Sequence, residues 1–214
     1  MEDVLEVYTR PFDPKRPQVC MDEVSKQLVE ETRTPIPAEP AQAAQPGKPE
    51  KYDHEYVRNG VANMFMCFEP LTGWRNVTVT ERRTMVDWAE AVRELVDVHY
   101  PEAEQIVLVM DNLNTHSIGS LYEAFTPEEA LRIAKKLEIH YTPKHGSWLN
   151  MAESELSILS RQCLNRRIPD AERLQREVRA WQDERNQGET LMIWRFTTDD
   201  ARIRLARLYP SLKP

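Results

Sequence analysis

The chain has 214 residues, 41% hydrophobic and 29% charged, with fifteen Pro, six Gly and a formal net charge of −7. Its apolar runs, such as Ile106-Val107-Leu108-Val109-Met110, stop far short of the roughly 20 residues of a membrane span. The acidic start has no basic stretch leading into an apolar one, so no secretory signal is expected. Cys20, Cys67 and Cys163 are odd in number and far apart, which fits neither a disulfide framework nor a paired-thiolate metal site. A cytoplasmic protein with buried thiols is expected.

In chain order, alternating apolar and β-branched residues predict strands over 18–24, 61–69, 74–80, 106–110 and 139–142. Residues 34–50 carry five Pro and almost no large apolar side chain, so this segment is expected to be an extended loop between early strands. Apolar residues repeat at Val86, Ala89, Val92, Leu95 and Val96, predicting a helix over 84–99 that ends before Pro101. Helices are also predicted over 117–125, 127–137, 148–165 and 170–187, the second of these with Thr126 as N-cap and Pro127 in its first turn. Strands first, then alternating helices and strands, describe an α/β fold with a sheet flanked by helices.

Net acidity argues against a polyanionic partner, but the charge is uneven. Residues 1–60 carry −4, residues 61–131 carry −8 and residues 132–214 carry +5. The basic final third is a candidate surface for phosphate, since Lys and Arg contacts supply the sequence-independent part of nucleic-acid affinity. The interleaving of Arg and Glu from Arg161 to Arg185 is equally that of a solvated helix face.

Three acidic residues stand on separate predicted elements. Asp22 lies in the first strand, Asp111 directly follows the most apolar strand, and Glu153 opens the 148–165 helix. In open α/β sheets chemistry gathers at the carboxyl ends of strands. Carboxylates there suit hard divalent cations, which can stabilise both the attacking and the leaving oxygen of a phosphoryl transfer. Each also has a plainer reading: a turn or cap for Asp111-Asn112, an edge-strand polar residue for Asp22 with Glu23 its exposed neighbour, a solvated helix position for Glu153. Leu149, Ala152, Leu156, Leu159 and Cys163 make one apolar seam. Glu153 and Glu155 fall on its two flanks, and periodicity alone does not choose between them.

These residues lie in stretches that resemble a known family. Val19-Cys20-Met21-Asp22-Glu23, then Met110-Asp111-Asn112-Leu113-Asn114-Thr115-His116, then Thr142-Pro143-Lys144-His145-Gly146-Ser147-Trp148-Leu149-Asn150-Met151-Ala152-Glu153 are similar to the three blocks of DDE transposases. The likeness is closest to the insertion sequence 630 family, bacterial relatives of the mariner elements, and runs from about Val4 to Leu212. It implies a ribonuclease-H-like α/β fold in which Asp22, Asp111 and Glu153 are the catalytic residues and hold two Mg²⁺ ions, for which Mn²⁺ can substitute. Glu153 rather than Glu155 stands where the family has its Leu-Asn-x-x-Glu motif. The implied reaction hydrolyses a phosphodiester at an element end, after which the freed 3′-hydroxyl attacks target DNA.

From the same resemblance, Asn112 and His116 are expected to orient Asp111 or touch the scissile phosphate, and Lys144 to pair with a backbone phosphate. His145, Arg161, Arg166 and Arg167 complete the expected DNA-binding set, while Trp148 belongs to the same block and is equally a core residue. The implied partners are double-stranded DNA and a second copy of the chain, with no membrane, and the implied location is cytoplasmic, on the nucleoid when bound to DNA. The implied domain plan is a tail over 1–16, a catalytic core over 17–168 containing the Pro-rich loop, and a helical extension over 169–214. Family members carry helix-turn-helix modules before this core, whereas 21 residues precede Asp22 here, so the chain is expected to be the catalytic half of a truncated or split element. A non-catalytic remnant that binds DNA or full-length transposase, and a stand-alone ribonuclease-H-fold nuclease, are the competing expectations.

Overall fold

The computed structural model describes residues 1–40, 47–49 and 51–209. Strands β1 (Gln18–Glu31), β2 (Tyr56–Glu69), β3 (Trp74–Thr80), β4 (Ile106–Met110) and β5 (Leu137–Tyr141) form one sheet in the order β3-β2-β1-β4-β5. The first three make an antiparallel meander, and β4 and β5 run parallel to β1. This mixed topology is the ribonuclease-H-like arrangement, and it makes β1 the central strand.

Side chains alternate across the sheet with period two. Cys20, Met64, Met66, Phe68, Val107 and Val109 enter one core cluster, and Val19, Met21, Phe65, Cys67, Ile106, Leu108 and Met110 enter the other. All five residues of β4 are buried, as expected of a parallel strand covered on both faces. The first cluster is closed by α1 (Glu2–Val7), α5 (Met151–Leu159), α6 (Ala171–Gln187) and α7 (Thr198–Arg204). The second is closed by α2 (Met85–Glu94), α3 (Ile118–Ala124) and α4 (Pro127–Lys135).

Helix starts follow local chemistry. Thr84 and Asp87 form a reciprocal capping box on α2, Thr126 caps α4 with Pro127 in its first turn, and Asp170 caps α6. The helix expected over 84–99 is α2 followed by a π-helical turn, Leu95–His99. The one expected over 148–165 divides into a 3₁₀ turn at Ser147–Leu149, then α5, then a π-helical turn at Ser160–Leu164.

Three features go beyond the sequence reading. Residues 1–16, expected as a tail, contain α1, whose Val4, Leu5 and Val7 are buried in the first core cluster. Helix α6 of the expected extension enters the same cluster through Leu174, Val178 and Trp181. Strands β1 and β2 each run to 14 residues, because their outer halves pair as a ribbon, for example Val29 with Arg58 and Glu31 with Tyr56. Residues 56–61 are exposed, so that half of β2 has no buried face to signal a strand. Within the Pro-rich segment, Ile36 bridges Lys51 and Glu39 bridges Lys48. Residues 41–46 and 50 lie outside the described residues.

The edge strand β3 is capped from the side. The Arg75 N–H donates to Asn186 Oδ1 at 2.9 Å and the Val77 N–H to Gln182 Oε1 at 2.7 Å, both acceptors standing on α6.

Candidate active site

Strand parity places Asp22 on the face of Cys20, towards α5, and Glu23 on the opposite face with Val19 and Met21. Asp111 follows the last residue of β4, and Glu153 lies in the first turn of α5. Asp22, Asp111 and Glu153 line a single open cleft of about 390 Å³ together with Glu23, Ser147 and Asn150. Asn150 ties this arrangement together. Its side-chain oxygen caps α5 by accepting from the Ala152 N–H at 3.1 Å, and its amide donates to the Met21 carbonyl at 2.8 Å and to Asp22 Oδ2 at 3.3 Å. One buried side chain thus fixes the start of the helix to the central strand beside the carboxylates.

The cleft holds charge at a cost. Burial pushes the Asp22 carboxyl up to about 7, and the negative charges of Glu23, Asp111 and Glu153 push the same way, against a stabilising hydrogen bond from the Glu23 N–H. A group of carboxylates in this state favours a cation. The donors are hard oxygens from three separate elements, so the chemistry of the set fits a divalent ion such as Mg²⁺.

Glu153 and Glu155, equivalent by periodicity, have different surroundings. Glu153 is exposed and lines the cleft. Glu155 is 1% exposed and lies 2.9 Å from Nε of the equally buried Arg75 and 2.6 Å from Nε of Arg185. Its charge is fully engaged inside the protein, at a place where β3 and α6 meet α5.

On the other side of Asp111 sits His116. Its Nδ1 lies 2.5 Å from Asp111 Oδ1, its Nε2 lies 3.2 Å from Glu23 Oε2, and its ring stacks on Trp88 with centroids 6.0 Å apart. Burial alone would lower the imidazole pKa. The hydrogen bond to Asp111, the close approach of Glu23 and the charges of both carboxylates outweigh it and push the value up to about 9. His116 is therefore flanked by two carboxylates that favour its protonated form. Ligand atoms of Glu23, Asp111 and His116 all lie within 4.8 Å of one another. The plainer reading of Asp22, a polar residue on an edge strand with Glu23 its exposed neighbour, does not describe Glu23. Its side chain is 5% exposed, because β1 is central and both its faces are covered.

Asn112, Lys144 and His145 line a second cleft of about 420 Å³ that shares Asp111 and Ser147 with the first. Lys144 and Asn112 are exposed there, and His145 has the left-handed backbone, φ 63°, that a non-glycine residue rarely adopts. Other members of the expected DNA-binding set are differently placed. His116 is 2% exposed with both nitrogens engaged, so it has no free atom for a phosphate and its contact is with Asp111. Arg166 pairs with Glu177 at 2.6 Å, and Arg167 pairs with Glu31 at 2.5 Å and packs over Tyr56. Both guanidinium groups are committed to carboxylates that a count of charge along the chain does not reveal. Arg161 is exposed beside the end of α5, its Nε donating to the Ser157 carbonyl. Trp148 is 45% exposed yet ordered by aromatic contacts with Trp194 and Phe196, so it is a half-open surface ring rather than a core residue.

Fold and site together define a ribonuclease-H-like domain with clustered carboxylates. A family model described as DDE superfamily endonuclease matches residues 17–175, and the chain belongs to that family. Among solved structures, the one described as "Crystal structure of the Mos1 Strand Transfer Complex" is similar at a TM-score of 0.33 and 15% identity, over 87% of this chain and 57% of that one. The chain thus spans little more than half the length of that protein. No curated protein sequence matches it. No helix among the described residues is long and apolar enough to cross a membrane.

Proposed function

We propose that this chain is the catalytic domain of a DNA transposase, cleaving DNA phosphodiesters at element ends and joining the freed 3′ ends to target DNA. The observation that carries the reading is that Asp22, Asp111 and Glu153, from a central strand, a strand end and a helix start, line one open cleft. Membership of the DDE endonuclease family supports it.

In this reading Asp22, Asp111 and Glu153 hold two Mg²⁺ ions, with Mn²⁺ an acceptable substitute. Bound there, such ions supply a nucleophile at neutral pH and stabilise the leaving oxygen. The protein's own residues position the parts. Asn150 keeps Asp22 and the start of α5 in register, and Lys144 and Asn112, along the adjoining cleft, receive the phosphate backbone next to the scissile bond. The carboxylates do not become covalent, consistent with a reaction governed by positioning and charge. Double-stranded DNA is the substrate, and two copies acting on paired ends form the active unit.

The test is strand joining. The chain is incubated with Mn²⁺, supercoiled plasmid and an oligonucleotide that ends in a free 3′-hydroxyl, and products are resolved on denaturing gels. Asp22→Asn, Asp111→Asn and Glu153→Gln should each lose at least about 100-fold in activity, as removal of several kcal/mol of transition-state stabilisation requires. Wild-type activity in Asp111→Asn would sink the assignment. Cleavage without joining would instead identify a stand-alone nuclease.

A further inference from the structure

Glu23 and His116 are deeply buried titratable side chains beside the cleft, 5% and 2% exposed against 34% for Asp111. Burying charge is costly unless the geometry compensates it, and here the geometry points towards the site. His116 is held in one pose. Its ring lies on Trp88 at 25°, its N–H donates to the Leu113 carbonyl at 2.9 Å, and its carbonyl accepts from Tyr141 Oη at 3.1 Å. One ring nitrogen faces Glu23 and the other faces Asp111. Glu23 is positioned in turn by β1, where it pairs with Phe65, and its second oxygen lies 3.9 Å from Arg83.

We propose that Glu23 and His116 are positioning residues for Asp111: Glu23 fixes the imidazole, and the imidazole holds one oxygen of Asp111 so that the other faces the cleft. A carboxylate free to rotate must lose that freedom on binding a cation, and one already held does not. The chain runs Asp22-Glu23, so alternation on a single strand supplies a cleft carboxylate to one face and its neighbour's support to the other. This resembles the way outer hydrogen bonds orient ligands in metal sites generally. The inference rests on Asp111 being a cation ligand.

The test reads binding rather than turnover. Mn²⁺ affinity of the full chain is measured by the electron paramagnetic resonance signal of free Mn²⁺, with circular dichroism and thermal midpoint as controls on folding. The near-isosteric Glu23→Gln should weaken Mn²⁺ about 10-fold and His116→Ala by up to about 100-fold, the range for lost outer-shell support. His116→Asn, which keeps a donor near the position of Nδ1, should recover part of the loss. The decisive result is the double variant. Glu23→Gln added to His116→Ala should cost nothing more, since Glu23 acts through the ring. Wild-type affinity in Glu23→Gln overturns the proposal, and so do losses that multiply in the double variant, which would mean that Glu23 touches the ion itself. Asp111→Asn separates the two levels: unchanged affinity there removes the carboxylate site, whereas loss there with none in Glu23→Gln removes only the positioning role.

Discussion

At the amino ends of the parallel strands, Glu138 of β5 lies among Arg10, Arg16 and His140, bonded to Arg10 at 2.7 Å and to Arg16 and His140 as well. At their carboxyl ends, Asp22 lies among Glu23, Asp111 and Glu153, with the His116 ring inserted between Glu23 and Asp111. Partial burial works against the Glu138 charge, but hydrogen bonds from Arg10, His140 and Arg16 outweigh it and pull its pKa down to about 2. Burial and like charges push Asp22 up to about 7. The same sheet thus carries one cluster whose carboxylate is matched by cations of the protein itself and one that is completed only by something added. Clusters of the second kind lower stability in exchange for a site.

The contrast can be broken most severely in the core, where Glu155 with Arg75 and Arg185 extends the compensated design to full burial. Glu155→Ala leaves Arg75 buried without its carboxylate, and should lower unfolding free energy by about 3–5 kcal/mol in urea titrations. A loss below about 1 kcal/mol would show that this triad is not compensated as described. At the cleft the sign reverses. In EDTA, Asp22→Asn removes a repelled, half-buried charge and should raise stability by about 1 kcal/mol. Mg²⁺ at about 100 times its dissociation constant should stabilise the wild type by about 2.7 kcal/mol, and the variant by far less. Equal Mg²⁺ stabilisation of both would detach Asp22 from the ion site.

The smallest effect is expected at Glu138. Its folded pKa lies below the unfolded value near 4.5, so its contribution is present above about pH 4.5 and is lost as pH falls towards 2. Its partners Arg10 and Arg16 are 39% and 47% exposed, and solvent screening holds the effect to about 1 kcal/mol or less. Glu138→Gln should flatten the acid limb of the stability profile between these limits and leave stability at pH 7 lower by a similar amount. A profile unchanged by the substitution would leave the amino-end cluster without energetic weight.

Much of this was readable in advance, and for local reasons. Strand β4 announces itself as five consecutive apolar residues, β3 by its β-branched alternation, and α4 by Thr126-Pro127. What was not readable depends on residues distant in the chain. Periodicity leaves Glu153 and Glu155 on opposite flanks of one seam. The difference between them is made by Arg75 on β3 and Arg185 on α6. Glu23 looks like a solvated neighbour until β1 is known to be the central strand. Arg166 and Arg167 read as free positive charge until Glu177 and Glu31 are found beside them. Asn150 carried a signal of its own, an Asn before a helix, but its second bond to β1 is a tertiary fact.

The amides of Gln182 and Asn186 on the rim of β3 have a bearing on where this domain can be cut. Unpaired N–H groups along a sheet edge are a template on which another chain can add a strand. Here two of them are occupied by glutamine and asparagine side chains of α6. The family match ends at residue 175, before either of those amides. A fragment trimmed to that limit keeps every carboxylate of the cleft and uncovers the rim. The last two turns of α6 thus occupy two edge N–H groups that would otherwise be open to an added strand.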